Sequence, residues 1–301
     1  MDSFARQTPT GAEVYLDHVG WFIPDIDRAS ADFERLGFRL TPFVVSRNAD
    51  PAGGPPVPSG TGNRCAMLER GYLELITAID GIDTPLARQH RAAVSRRVGV
   101  HVVAFTVADA SAARARLARE GFDPGEPVRL RRPVLAPDDR ETFAAFSVVR
   151  VPPEKMPEGR IQILTQETPD LVWQDRFLTR ENGLTALTGA LLSVEDPGEV
   201  SARFGRFVGR APAGGGDLFT ITLDRGRLDF ATPARCASLL PGVPLPGPAA
   251  TVALRFLAPD RVATHRFLTG RGIRVVEDGG VLRIGPQDAL GAALLIHGPD
   301  A

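Results

Sequence analysis

Short runs of crowded or alternating apolar residues recur along this chain, each followed by an acidic turn, an Ala/Arg-rich stretch with helical spacing, and a glycine. Leu16 to Pro24 (LDHVGWFIP) reads as a strand, Asp25 and Asp27 mark the turn, and Arg28 to Leu36 reads as a helix that stops at Gly37-Phe38. The phrase returns at Val100 to Val107 (VHVVAFTV), with Asp109, a helix over Ser111 to Glu120, and Gly121-Phe122. Weaker copies lie at Leu187 to Val194, with Asp196-Pro197 and a helix to Val208, and at Thr251 to Ala258, with Asp260, a helix to Leu268, and Gly270 to Val276. An acidic side chain at such a turn accepts from the exposed N–H groups that open a helix. A glycine after the helix reaches the left-handed exit conformation without a Cβ clash.

Each copy continues into strands rather than a second helix. The first predicts strands at Phe43 to Arg47, Arg64 to Leu68 and Tyr72 to Ile76, and the second at Val128 to Arg131, Phe143 to Arg150 and Arg160 to Leu164. The third offers Leu218 to Leu223 and Arg227 to Phe230, and the fourth Arg274 to Glu277, Val281 to Ile284 and Ala292 to Ile296. The chain is therefore expected to be α+β, with four βαβββ modules over 14–80, 99–167, 184–235 and 249–298. Paired, they give an N-terminal domain over 14–170 and a C-terminal one over 184–298. Asn48 to Gly62, rich in Pro and Gly, reads as a long surface loop, and Thr84 to Val98 as a linking helix.

Composition narrows the function classes. Of 301 residues 43% are hydrophobic and 24% charged, as in an ordinary globular protein. Lys and Arg total 35 against 36 Asp and Glu, a formal net charge of −1, so no field gathers nucleic acid or anionic lipid. Nearly all the positive charge is arginine, Lys155 being the only lysine. Cys65 and Cys236 lie far apart and form no metal-binding spacing, which suits a reducing compartment. With no apolar run approaching the ~20 residues of a membrane span and no secretory leader at Met1 to Glu13, a cytoplasmic protein is expected. No GxSxG elbow, P-loop or dinucleotide fingerprint is present, and the "GGGD" at 214–217 is not followed by a helix.

Strand alternation picks out candidate chemistry in the first module. In Leu16 to Pro24, His18, Gly20, Phe22 and Pro24 share one face, while Val19, Trp21 and Ile23 share the other and suit helix packing. In the closing strand Tyr72, Glu74 and Ile76 oppose Leu73 and Leu75. A carboxylate inside so apolar a strand must be paired, hydrogen-bonded or metal-bound, because a bare buried charge costs several kcal/mol. One alternative to metal binding pairs Glu74 with an arginine such as Arg64.

Paired βαβββ modules opening on "LDHVGWFIPDID", with "GTGNRCAML" and a closing "GYLELI", resemble the vicinal oxygen chelate superfamily of glyoxalases, extradiol dioxygenases and bleomycin-resistance proteins, and its glyoxalase-like domains in particular. The resemblance implies two incomplete barrels and a divalent metal (Fe, Mn, Zn or Ni) held by His18 and Glu74 in the first. The second module departs from the pattern. The position equivalent to His18 is Val102, His101 reaches the same face only through a bulge, and Gln162 stands at the place of Glu74. If His101 joins His18 and Glu74, a 2-His-1-carboxylate arrangement results. Phe22, Asn63, Arg64, Tyr72 and Gln162 are then expected to contact substrate, with Glu74 and Glu167 as catalytic groups. The implied function is a metal-dependent lyase, isomerase or dioxygenase acting on a small oxygenated metabolite. The alternative is a metal-free protein that sequesters a small molecule. The third and fourth modules are expected to carry no matching ligands, with Gly189 and Ala253 at the His18 position and Leu294 in place of Glu74, so the C-terminal half serves as a structural partner or a dimerisation surface.

Overall fold

The computed structural model describes residues 7–48, 57–247 and 249–299. The first module runs β1 (Val14–Phe22), α1 (Ile26–Arg35), β2 (Val44–Asn48), β3 (Val57–Met67) and β4 (Tyr72–Ala78). After a linking helix α2 (Pro85–Arg96), the second runs β5 (Gly99–Val107), α3 (Ala110–Arg119), β6 (Val128–Leu135), β7 (Glu141–Arg150) and β8 (Arg160–Gln166). A short helix α4 (Pro169–Val172) leads to the third: β9 (Ala186–Ser193), α5 (Pro197–Val208), β10 (Ala213–Gly215), β11 (Leu218–Thr222), β12 (Arg227–Ala231) and a further helix α6 (Pro233–Leu239). The fourth is β13 (Ala250–Leu257), α7 (Arg261–Gly270), β14 (Val275–Asp278), β15 (Val281–Ile284) and β16 (Ala293–His297).

These strands form two eight-stranded sheets of identical plan, β2-β3-β4-β1-β5-β8-β7-β6 and β10-β11-β12-β9-β13-β16-β15-β14. In each, the first strands of two modules pair antiparallel at the centre, and each pairs in parallel with the last strand of its own module. The first sheet curls until its edge strands β2 and β6 meet, giving a nearly closed barrel. The caps are those the acidic turns predict: Asp25, Asp109, Asp196 and Asp260 each accept backbone N–H groups at the start of their helices. Gly37, Gly121 and Gly209 take the left-handed exit, at φ of 80°, 77° and 72°.

Three details differ from expectation. The stretch 48–62 is not one loop: residues 49–56 lie outside the described residues, and β3 begins at Val57 rather than Arg64. The helix α6 was not legible as part of the module. Finally, the two halves share one core, because α1, α3, α5 and α7 pack between the sheets. Phe122 meets Phe207 edge-on at 5.3 Å, and Phe38 lies 6.3 Å from Phe256.

The interiors of the two sheets differ. The concave face of the second is filled by Leu191, Ala253, Ala293 and Leu295, with Cys236 and Leu240 from α6 and its exit packed onto them. The first sheet encloses open space.

Candidate functional site

The space inside the first barrel is a cavity of about 140 Å³. Its wall is set by the two-residue period of the strands: His18 from β1, Asn63 from β3, Tyr72 and Glu74 from β4, and Gln162 from β8 all project inward. His18 and Tyr72 are register partners on adjacent strands, and their rings stack with centroids 4.4 Å apart. His18 Nε2 lies 3.9 Å from Glu74 Oε2, and Asn63 Nδ2 donates to Glu74 Oε1. The Glu74 carboxylate is thus fixed by one oxygen and turned toward the imidazole with the other.

Behind His18 stands Asp17, a residue that plain alternation along β1 would turn to the opposite face. The pairing of β1 with β5 slips between Leu16 and His18, so Asp17 is the extra residue of a β-bulge. The bulge brings its fully buried carboxylate within 2.7 Å of His18 Nδ1, and both its oxygens accept from Gln166 Nε2 at 3.2 Å. A carboxylate has no proton to give, so Nδ1 carries the hydrogen of this bond and Nε2 is the nitrogen that faces Glu74 and the cavity. Tyr72 completes this end. Burial, reinforced by Asp17 and Glu74, holds its phenol well above the usual range, so the hydroxyl stays protonated and able to donate.

The rest of the lining is cationic. Arg47, Arg131, Arg132, Arg150 and Arg160 border the cavity, and Glu74 is the one carboxylate among its lining residues. Arg132 reaches across from the edge strand β6 to donate to Cys65 Sγ on β3 at 3.3 Å. Burial pushes the Cys65 thiol up to about 11, so it remains a neutral thiol. Arg160 lies over the Phe22 ring at 4.9 Å and donates to Gln89. Burial, with Arg150 beside it, pulls its guanidinium down to about 10.

Four expected site residues lie elsewhere. A bulge does occur at His101, where the pairing slips between Gly20↔Val102 and Trp21↔Val100. His101 nevertheless stacks on Phe22 at 5.0 Å, hydrogen-bonds the Arg97 carbonyl and lines a separate cavity. Phe22, at the end of β1, borders that same second cavity. Glu167 falls on the opposite side of its strand from Gln162, where it pairs with Arg129 at 2.8 Å and accepts from Ser147. Arg64 points away from the barrel and donates to the Thr41 carbonyl at 2.9 Å. Sequence reasoning missed Asp17, Gln166 and the arginines. Simple alternation hides a residue that a bulge turns over, and the arginines were scattered among many others.

The donor set for a metal can be judged from the register. Val102 pairs with Arg160 as His18 pairs with Tyr72, so the four equivalent positions are His18, Glu74, Val102 and Gln162. Two are strong donors, one is an amide and one is apolar. Gln162 Oε1 is buried without a hydrogen-bond partner, yet no group of three His, Cys, Asp or Glu side chains among the described residues is arranged to hold a metal ion. Two strong donors in a cavity bordered by arginines do not fit a resident divalent centre of three protein ligands. The second barrel departs further. Gly189 and Ala253 do hold the His18 position, but Asp229, not an apolar residue, stands at the place of Glu74, and the fourth-module equivalent is Leu295 rather than Leu294. Asp229 is spent on Arg227 and Arg255, at 2.9 and 3.1 Å.

Comparison with known proteins agrees with this architecture. Among solved structures, the fold resembles a hypothetical protein from Staphylococcus aureus, with TM-score 0.65 and 9% identity over 95% of this chain and 99% of that one. It also resembles a mutant of 4-hydroxymandelate synthase from Streptomyces coelicolor, with TM-score 0.55 and 15% identity over 94% and 92%. A fusion of a xylose isomerase-like TIM barrel with 4-hydroxyphenylpyruvate dioxygenase is similar at TM-score 0.54 and 14% identity, over 90% of this chain and 41% of that one. No curated protein matches the sequence. A sequence model described as a glyoxalase-like domain matches residues 16–208, more than half of the chain. The chain therefore belongs to the glyoxalase-like domain family, on the paired-module fold of the vicinal oxygen chelate superfamily.

Proposed function

We propose that this protein is an enzyme that moves a proton on a small oxygenated metabolite bound in the first barrel, with His18 as the base. The observation that carries the reading is the buried Asp17–His18 pair, whose bulge-built geometry orients the ring by Nδ1 and turns Nε2 into the cavity. A proton on carbon beside a carbonyl would pass to Nε2, and the imidazolium so formed is stabilised by Asp17 at 2.7 Å. The negative charge moving onto the carbonyl oxygen is met by the neutral Tyr72 hydroxyl and by the arginine lining. The imidazolium would then return that proton to the neighbouring carbon, which isomerises the substrate, while the Glu74 carboxylate, held by Asn63 and 3.9 Å from Nε2, steadies the charged ring. The resemblance to glyoxalases and dioxygenases carries an expectation of a divalent metal, but every step here uses side chains alone, in keeping with the two-donor set.

A sequestering protein would need the same cavity but no oriented base. The test is deuterium wash-in at the α-carbon of a panel of small 2-hydroxy and 2-oxo acids, followed by NMR on protein stripped of metal with a chelator. Exchange by the wild type that is lost in His18→Ala is expected. No exchange with any acid that nonetheless binds would favour the sequestering reading.

A further inference from the structure

The four modules allow an internal comparison at one position. Tyr72, Arg160 and Arg227 are equivalent, each pairing in parallel with the residue at the His18 position: His18, Val102 and Gly189. Two residues further along each strand stand Glu74, Gln162 and Asp229. In the third module the motif Arg-x-Asp closes on itself. Arg227 donates through both Nε and Nη2 to Asp229, which also takes Arg255 and the Thr220 hydroxyl. In the second module the motif is Arg-x-Gln, and the arginine has lost its built-in counter-ion.

That vacancy is not filled from elsewhere. Arg131, Arg132, Arg150 and Arg160 have no carboxylate within ion-pair distance among the described residues, whereas Arg227 and Arg255 of the second sheet share Asp229. Arg160 has only the Gln89 amide and the Phe22 ring. Arg160 is half-buried, and a guanidinium drawn partly out of water beside other arginines is stabilised by an anion that completes it. Gln162 Oε1, buried and unpartnered beside it, is an acceptor suited to a hydroxyl on the same ligand.

We infer that the first barrel selects substrates bearing a small oxyanion, a carboxylate or phosphate group, which Arg160 binds in the place that Asp229 fills for Arg227, with Arg132 on the opposite wall. The inference builds on the proposed function by naming its substrate class. The second module thus supplies substrate recognition where its equivalent ligand positions have been lost, and the first supplies the base.

Isothermal titration with oxalate and with inorganic phosphate tests this on the full chain. Either anion should bind the wild type, and the arm that binds tells carboxylate from phosphate. A charge-assisted hydrogen bond is worth about 1.5–3 kcal/mol, so Arg160→Gln should weaken binding by about 10- to 150-fold. Gln162→Glu, which restores the closed motif without removing the arginine, should weaken it at least tenfold. Unchanged melting temperatures would show that both variants are folded. His18→Gln should retain anion binding while losing α-carbon exchange, so failure of the base and failure of the anion site give different results. Anion affinity equal in wild type, Arg160→Gln and Gln162→Glu, or no binding of either anion, would overturn the inference.

Discussion

Asp17→Asn isolates the feature on which the proposed chemistry depends. The change is nearly isosteric, so the bulge and the contact with Gln166 should persist, but the charge on the acceptor is lost. In the wild type a carboxylate 2.7 Å from Nδ1 supports only the tautomer with hydrogen on Nδ1. A hydrogen bond to a charged group contributes about 1.5–3 kcal/mol, which corresponds to a preference of roughly 12- to 150-fold for that tautomer. Asparagine can accept from Nδ1–H through its oxygen or donate to a bare Nδ1 through its amide, so the preference should fall to within a few-fold. The assay is 15N NMR of ring-labelled histidine at pH 8, with His18→Gln identifying the resonance among the five histidines. A Nδ1–H population above about 90% in the wild type is expected, dropping to a mixture in Asp17→Asn. Wild-type protein with hydrogen on Nε2, or an unchanged population in the variant, would refute the orientation argument.

Other consequences follow from burial and charge. Phe207 is fully buried and touches both Phe105 and Phe122, so Phe207→Ala should cost about 3–5 kcal/mol in denaturant titration. Because the core is shared, unfolding should stay a single transition; independent transitions for the two halves would contradict the shared core. Burial holds His101 down to about 4 against 6.5 unfolded, so the unfolded chain takes up the proton first and stability falls as the pH drops from 6.5 toward 4. With solvent screening, His101→Phe should reduce the loss between pH 7 and 5 by about 1 kcal/mol, measured by urea titration at both values. Equal slopes would argue against a desolvated imidazole.

The modular fold was legible because each copy repeats the same local physics: a capped helix and a glycine exit between a buried strand and three more. Asp25 and Asp109 announce their helices in any context. The inward face of β1 and β4 was legible too, since His18 and Glu74 follow simple alternation. What alternation cannot foresee is a bulge. Asp17 went unread and His101 was placed conditionally in the pocket, yet the pairing slips turn Asp17 toward His18 and leave His101 in the neighbouring cavity. Nor does one strand reveal what faces it: Arg132 enters from an edge strand whose path across the barrel depends on closure against β2. In the second barrel, α6 was unread and Asp229 overlooked, because the third module's closing strand, Arg227–Ala231, was not aligned with the first's.

The most direct measurement is a crystal structure of the wild type grown with oxalate and manganese supplied together. Oxalate with one carboxylate on Arg160 and an oxygen within hydrogen-bonding distance of His18 Nε2, and no metal between His18 and Glu74, is the predicted result. A manganese ion bridging His18 and Glu74, with oxalate chelated to it and Arg160 unengaged, would contradict the account.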